Sequence, residues 1–212
     1  MLKRRLLFGL PLGLLACGGP EEPSFLPPLV TGYRHLTPLR LNVLEVEFPD
    51  PAVRVVSVTE PAPVRPEAEI RRMGQERLVP VGTTGTARFL ITRARFSRER
   101  LPPAGGLGGM FAGEPGERLS CDLACRIEVM NPEGGRAAFA EAEARRTQSL
   151  ADGTSPIARQ RAAEAIIRQT MESLNVEFEF QIRRALRAWL VEGNQPLTPA
   201  AVEREDLSVQ AR

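Results

Sequence analysis

The feature that most constrains the fold is a run near the middle of the chain in which every second residue is apolar. Its members are Leu119, Cys121, Leu123, Cys125, Ile127 and Val129. Successive side chains of a β-strand point to opposite faces, so this period predicts a strand with one face against a core. Residues 131–135, Asn-Pro-Glu-Gly-Gly, are typical of a hairpin turn. We therefore expect residues 136–149 to return as a neighbouring strand, although their alternating alanines also suit a helix.

The last third of the chain has the three-and-four spacing of an amphipathic helix. Ser155 is a candidate N-cap and Pro156 suits the first helical position. The apolar stripe that follows is Ala163, Ile167, Thr170, Met171, Leu174, Phe178, Ile182, Ala185, Leu186 and Trp189. Val176, Phe178 and Phe180 are also apolar at every second position, as in a strand, so a break in the helix at this point is an alternative. An unbroken helix to Val191 would be roughly 50 Å long at about 1.5 Å per residue.

The segment before these elements contains shorter ones. Residues 39–48, 53–58 and 86–96 have the composition of strands, and residues 66–78 that of a short helix with Pro66 in its first turn. A loop rich in glycine and proline spans residues 102–116. This order predicts an α+β fold: a small antiparallel sheet with the short helix and the long C-terminal helix packed on one face.

The N-terminus has the features of an export signal. Lys3, Arg4 and Arg5 precede an apolar run of about ten residues, which is too short to span a bilayer as a helix. The run ends Leu14-Leu15-Ala16-Cys17-Gly18, and this stretch resembles the lipobox of bacterial lipoproteins. The resemblance implies cleavage before Cys17 and acylation of its thiol, which would anchor the chain to a membrane. The alternatives are an ordinary signal peptide with an incidental cysteine, or a buried apolar strand.

These features predict four segments. Residues 1–16 are expected to be a lipoprotein signal peptide and residues 17–38 a lipidated tether rich in proline and glycine. Residues 39–192 would form a single α+β domain, and residues 193–212 a flexible C-terminal tail. Gly18 stands where an aspartate would favour retention in the inner membrane, so the resemblance implies the outer membrane, facing the periplasm, within the cell envelope.

The charge of the processed chain argues against nucleic-acid binding. The whole chain has 28 basic and 26 acidic side chains, and three of the basic ones leave with the signal. The remaining 25 basic and 26 acidic side chains nearly balance. Nucleic-acid binding normally requires a clustered basic surface.

No residue pattern indicates catalysis, a cofactor or a metal. Cys121 and Cys125 would lie roughly 13 Å apart on a strand, beyond the reach of a disulfide, and are interpreted as core residues. A local bridge in a bulged or helical segment, or a metal site, stays open. His35, the one histidine, lies in the predicted tether. The pairs Glu141/Glu143 and Glu177/Glu179 alternate as on a solvated face. We therefore expect a protein that is not an enzyme.

Two apolar groups are candidate partner contacts. Leu107, Met110 and Phe111 lie in a glycine-rich loop, where function is common. Phe180 and Trp189 lie on the long helix and would exceed what one sheet covers. The alternative in both cases is that these side chains pack on the domain itself.

The order of elements resembles that of the auxiliary lipoproteins of bacterial ABC-transport systems that move lipids across the envelope. This resemblance rests on Glu76-Arg77-Leu78 before Gly82, followed by a meander and a final helix. It implies a non-catalytic domain that binds a partner or lipid carrier, and Cys17 is the single residue whose role it transfers. A structural lipoprotein that self-associates through its C-terminal helix is the alternative, and a hydrolase of unrecognised type is the third hypothesis.

Overall fold

A computed structural model describes residues 32–59, 62–102, 115–131 and 133–191. The predicted signal peptide, Cys17, the C-terminal tail and the loop residues Leu107, Met110 and Phe111 lie outside these ranges.

The described chain contains seven strands and two α-helices. In chain order they are β1 (Leu39–Leu41), β2 (Glu45–Glu47), β3 (Val56–Val58), α1 (Pro66–Arg77), β4 (Leu78–Pro80), β5 (Thr86–Arg100), β6 (Pro115–Met130), β7 (Arg136–Ala151) and α2 (Pro156–Ala185). Single 3₁₀ turns, Val53–Val55 and Arg187–Trp189, precede β3 and follow α2.

The α+β class is confirmed, and a three-stranded antiparallel meander dominates it. β5 pairs with β6 and β6 with β7, so that Phe89 lies opposite Ile127 and Ile127 opposite Ala140. The segment after the hairpin turn is therefore a strand, as predicted. In the turn, the Gly135 amide donates to the Asn131 side chain over 2.6 Å, and Gly134 has a φ of 82°.

The short N-terminal strands differ from the expected single strand over residues 39–48. β1 pairs in parallel with β4, while β2 pairs in parallel with the start of β5 and β3 with Ala94–Phe96 further along it. The chain leaves one sheet after Leu41 and enters the other at Glu45. β1 and β2 have similar compositions. They belong to different sheets because they pair with different strands further along the chain.

α2 begins as predicted and is not broken at the alternating segment. The Ser155 hydroxyl accepts a hydrogen bond from the Ala158 amide over 3.2 Å, and Pro156 follows the cap. The helix has 30 residues, about 45 Å at the usual rise. It ends at Ala185, before Val191. The Val191 amide donates to the Arg40 carbonyl over 2.9 Å, so the chain after the helix turns to join β1.

The core lies between one face of the sheet and the two helices. Phe89 of β5 and Phe178 of α2 are both fully buried and meet edge to face, with ring centroids 5.5 Å apart. Gly74 lets α1 approach closely, because a Cβ there would lie 2.8 Å from the Phe89 ring. Both helices therefore cover the same face of the meander.

Candidate interaction surface

The two predicted helix contacts lie in different environments. Phe180 is 55 % exposed on α2. Trp189 is half-buried and packs against the core, and its carbonyl accepts from the Asn42 amide over 2.7 Å. Phe180 is thus the more accessible of the two aromatic side chains.

Hydrogen bonds identify the two flanks of α2. On one flank, Asn175 and Glu179 bind Arg77 of α1. On the other, the Ser173 hydroxyl accepts from the Arg146 guanidinium of β7 over 3.0 Å. With about 3.6 residues per turn, Phe180 falls on the Ser173 flank, while Val176 is equally far from Ser173 and Glu179 and faces away from the sheet. The exposed aromatic therefore lies beside the outer edge of β7.

Val176 was not among the predicted contacts, although it is 69 % exposed. It lies four residues before Phe180, and side chains with this spacing are neighbours on a helix surface. The spacing of Val176 and Phe180 in the sequence indicated a shared helix surface. Their alternation with the buried Phe178 suggested a helix break instead. Together, Val176 and Phe180 form a small apolar strip that runs from the outer side of α2 to the Ser173 flank.

β7 is the last strand of its sheet. It pairs with β6 along 16 residues, and no described strand lies on its other side. Such an edge presents unpaired amide and carbonyl groups, which are a template for another strand. We define the β7–α2 edge as β7 together with Ser173 and Phe180. This surface exists because β7 is the last strand in the sheet. The order of strands could not be predicted from the sequence pattern.

The face of the meander that the helices leave uncovered is charged. Arg93 binds Asp122 over 2.8 Å and Glu143 over 2.7 Å, and so connects three strands. Arg126 bonds to Glu141 on the neighbouring strand. Exposed ion pairs of this kind contribute little to stability. They give the face alternating signs and no extended apolar patch.

A polar depression of about 540 Å³ opens beside these pairs, between the meander and α2. Its carboxylates are occupied: Glu141 and Glu143 bind arginines, and Glu177 accepts from the Gln181 amide over 2.7 Å. A general acid or base has to reach the proton that it transfers. These carboxylates are arranged as hydrogen-bond acceptors in a solvated network.

Glu179 differs from its neighbour Glu177, since it binds a buried arginine. It forms an ion pair with Arg77, whose side chain is 0 % exposed. Burial alone raises the pKa of Glu179, but hydrogen bonds from Arg77 and Arg183 outweigh it and lower the pKa below the ordinary 4.5. The pair joins α1 to α2 and has a structural role.

The thiols of Cys121 and Cys125 are both buried and unbridged. Burial raises the pKa of Cys121 to about 11 and also raises the pKa of Cys125. Thiols of this kind are protonated and unreactive at neutral pH, which agrees with their interpretation as core residues. His35 is exposed. The described residues contain no group of three or more side chains suited to a metal ion.

No protein-family model and no curated protein matches the sequence. Among solved structures, the chain has a similarity to a minor lipoprotein from Acinetobacter baumannii, at 12 % identity and a TM-score of 0.37, over 75 % of this chain and 100 % of that one. It is also similar to rare lipoprotein B from Shewanella oneidensis, at 13 % identity and a TM-score of 0.37, over 66 % and 94 % of the two chains. Both of these proteins are bacterial lipoproteins.

None of the helices in the described ranges has the length and hydropathy needed to cross a bilayer.

Proposed function

We propose that this chain is a lipoprotein of the bacterial cell envelope, anchored through an acylated Cys17. The observation that carries the proposal is the sequence Leu14-Leu15-Ala16-Cys17-Gly18 directly after a basic start and a short apolar run. Burial of acyl chains contributes about 0.8 kcal/mol per methylene, so two or more chains hold a small domain on a membrane.

Changing Cys17 to serine is expected to abolish incorporation of labelled palmitate and to release the domain from membranes. Expression in a Gram-negative host, followed by labelling and density-gradient fractionation, measures both effects. The native chain should fractionate with the outer membrane, as Gly18 suggests. Cys121→Ser is the matched control, because that thiol is fully buried in the core, and this variant should label normally. Equal labelling of the Cys17→Ser variant would contradict the proposal.

The proposed role is that of a non-catalytic accessory or assembly factor, with an envelope lipid-transport system as its setting. Support comes from the salt-bridged charged face and from the free β7–α2 edge, both of which can meet a protein partner. The link to lipid transport rests on the order of strands and helices, which resembles that of the auxiliary lipoproteins of ABC-transport systems.

Purification of the tagged, lipidated chain from detergent-solubilised envelope tests this role. We expect a permease or ATPase component to co-purify, identified by mass spectrometry. A tagged version of an unrelated lipoprotein provides the background. Recovery of nothing beyond further copies of this chain would contradict the accessory role and favour the structural alternative.

A further inference from the structure

We infer that the outer surface of α2, near its C-terminal end, binds the surface of an anionic phospholipid membrane. The exposed side chains that form this outer strip of α2 are Val176, Phe180, Arg183, Arg184 and Arg187. The inference rests on the proposed function, because the anchored Cys17 brings the membrane within reach, and it adds a second contact. Its test uses a chain without acyl groups, so that the two proposals can fail separately.

The first observation is the arrangement of side chains on the outer strip. Val176 and Phe180 are both more than half exposed, and they lie one turn apart. Arg183 and Arg184 follow in the last turn of α2, and Arg187 lies in the 3₁₀ turn after it. Side chains three and four positions apart are neighbours on a helix surface. The strip therefore presents apolar groups and guanidinium groups next to each other, as helices that lie in a membrane interface do.

The second observation is the unbalanced positive charge at this end of the helix. Residues 180–191 contain three arginines and no acidic side chain. Glu179, the last carboxylate before this stretch, already binds two arginines. Arg184 and Arg187 are exposed and form no ion pair within the described chain. A helix C-terminus carries only about half a negative charge, so it does not neutralise them. Their charge is complementary to phosphate groups of an anionic membrane.

The third observation is the place where the predicted tether joins the domain. Tyr33 packs against the core, and its amide donates to the Glu76 carboxylate of α1. Burial first, and then nearby carboxylates that include Glu172 of α2, raise the pKa of the Tyr33 phenol to about 12. Glu172 is exposed and lies one turn before Val176. The domain therefore meets the tether on the same side as the outer strip.

The length of chain between anchor and domain fits a membrane contact on this side. Gly32, the first described residue, follows Cys17 by 15 positions, which span at most about 50 Å when fully extended. Arg187 lies roughly 22 Å from Glu172 along the helix axis, so the whole strip is within reach of the anchoring membrane. A tethered contact of this kind is intramolecular, and even a weak one is therefore populated.

Vesicle sedimentation of the full mature chain with Cys17→Ser tests the contact without the anchor. We expect binding to vesicles of equal parts phosphatidylcholine and phosphatidylglycerol that weakens as salt is added, and far weaker binding to phosphatidylcholine alone. Arg184→Gln combined with Arg187→Gln should weaken binding about 25-fold, because each arginine near an anionic surface contributes about a factor of five. Phe180→Ser should weaken it about fivefold, because the ring no longer enters the interface.

Arg118→Gln combined with Arg145→Gln is the matched control. Both arginines are exposed on the face of the meander that the helices leave uncovered, and their replacement changes the net charge by the same amount. This variant should keep most of its binding to the anionic vesicles. An equal loss in the two double variants would overturn the inference, because net charge rather than the outer strip would then account for the binding.

Quenching by brominated phospholipids identifies the side of the domain that meets the vesicle. The chain has a single tryptophan, so Trp189→Phe provides a background to which Phe180→Trp adds a reporter. Brominated phosphatidylglycerol should quench this reporter. Phe139→Trp in the same background is the control, because Phe139 is also exposed but lies on the uncovered face beside Arg126, and it should not be quenched.

Three further results would overturn the inference. They are no binding of the unlipidated chain to anionic vesicles, equal quenching of the reporters at positions 180 and 139, and lipid-free dimers that Phe180→Ser dissociates. The last result would assign the outer strip to a second copy of the chain.

Discussion

Replacement of Phe178 by alanine is expected to lower the free energy of unfolding by about 3–5 kcal/mol, the usual cost of removing a buried aromatic ring. Phe178 is 0 % exposed and packs edge to face on Phe89. Its loss opens a cavity where α2 meets β5. Urea unfolding, followed by the fluorescence of the single tryptophan, measures the change.

Phe180→Ala is the matched control, two residues away on the same helix. Because Phe180 is 55 % exposed, the change should stay within about 0.5 kcal/mol at a protein concentration where the chain is monomeric. Equal losses of unfolding free energy in the two variants would contradict the helical register of α2. They would favour an extended segment instead, as the alternation of Val176, Phe178 and Phe180 suggests.

Removal of the Glu179 carboxylate is the second change with a large expected effect. Glu179→Ala leaves the charge of Arg77, which is 0 % exposed, without its ion-pair partner. Uncompensated buried charges of this kind cost about 3–5 kcal/mol. Glu177→Ala removes a carboxylate that binds only the Gln181 amide among the described residues, and should change stability by less than about 1 kcal/mol. Thermal and urea unfolding of both variants measure the difference.

Two further observations separate the ion pair from a simple packing defect. Arg77→Met combined with Glu179→Ala should recover part of the loss, because no charge is then left buried. The folded-state pKa of Glu179 is lowered, so its contribution is present above the ordinary carboxyl pKa and is lost as the pH falls through the lowered value. The native chain should show this acid-side loss and Glu179→Ala should not. A double variant less stable than the single one would contradict this account.

Local pattern was sufficient for the long elements. The apolar alternation from Leu119 to Val129 predicted β6, and the turn at Asn131 predicted that β7 returns beside it. Ser155 and Pro156 placed the start of α2. In each case the residues that specify the element lie within it or next to it, and one face of each long element is buried.

Pairing between distant residues could not be predicted in the same way. β1 and β2 have three residues each, too few for a period, and strands about 40 residues further along the chain decide their assignment. Arg77 and Glu179 are separated by 102 positions, so Glu179 resembled a solvated carboxylate. After α2 ends, Trp189 and Val191 form hydrogen bonds with Asn42 and Arg40, which lie far away in the sequence. The β7–α2 edge is a consequence of strand order.

The central claim concerns the N-terminus, and the mass of the mature N-terminal peptide tests it most directly. In protein isolated from membranes, we expect the chain to begin at Cys17 and to carry the mass of a diacylglyceryl group with a further acyl chain. An unmodified cysteine, or an intact Met1 followed by the uncleaved residues 2–16, would contradict it.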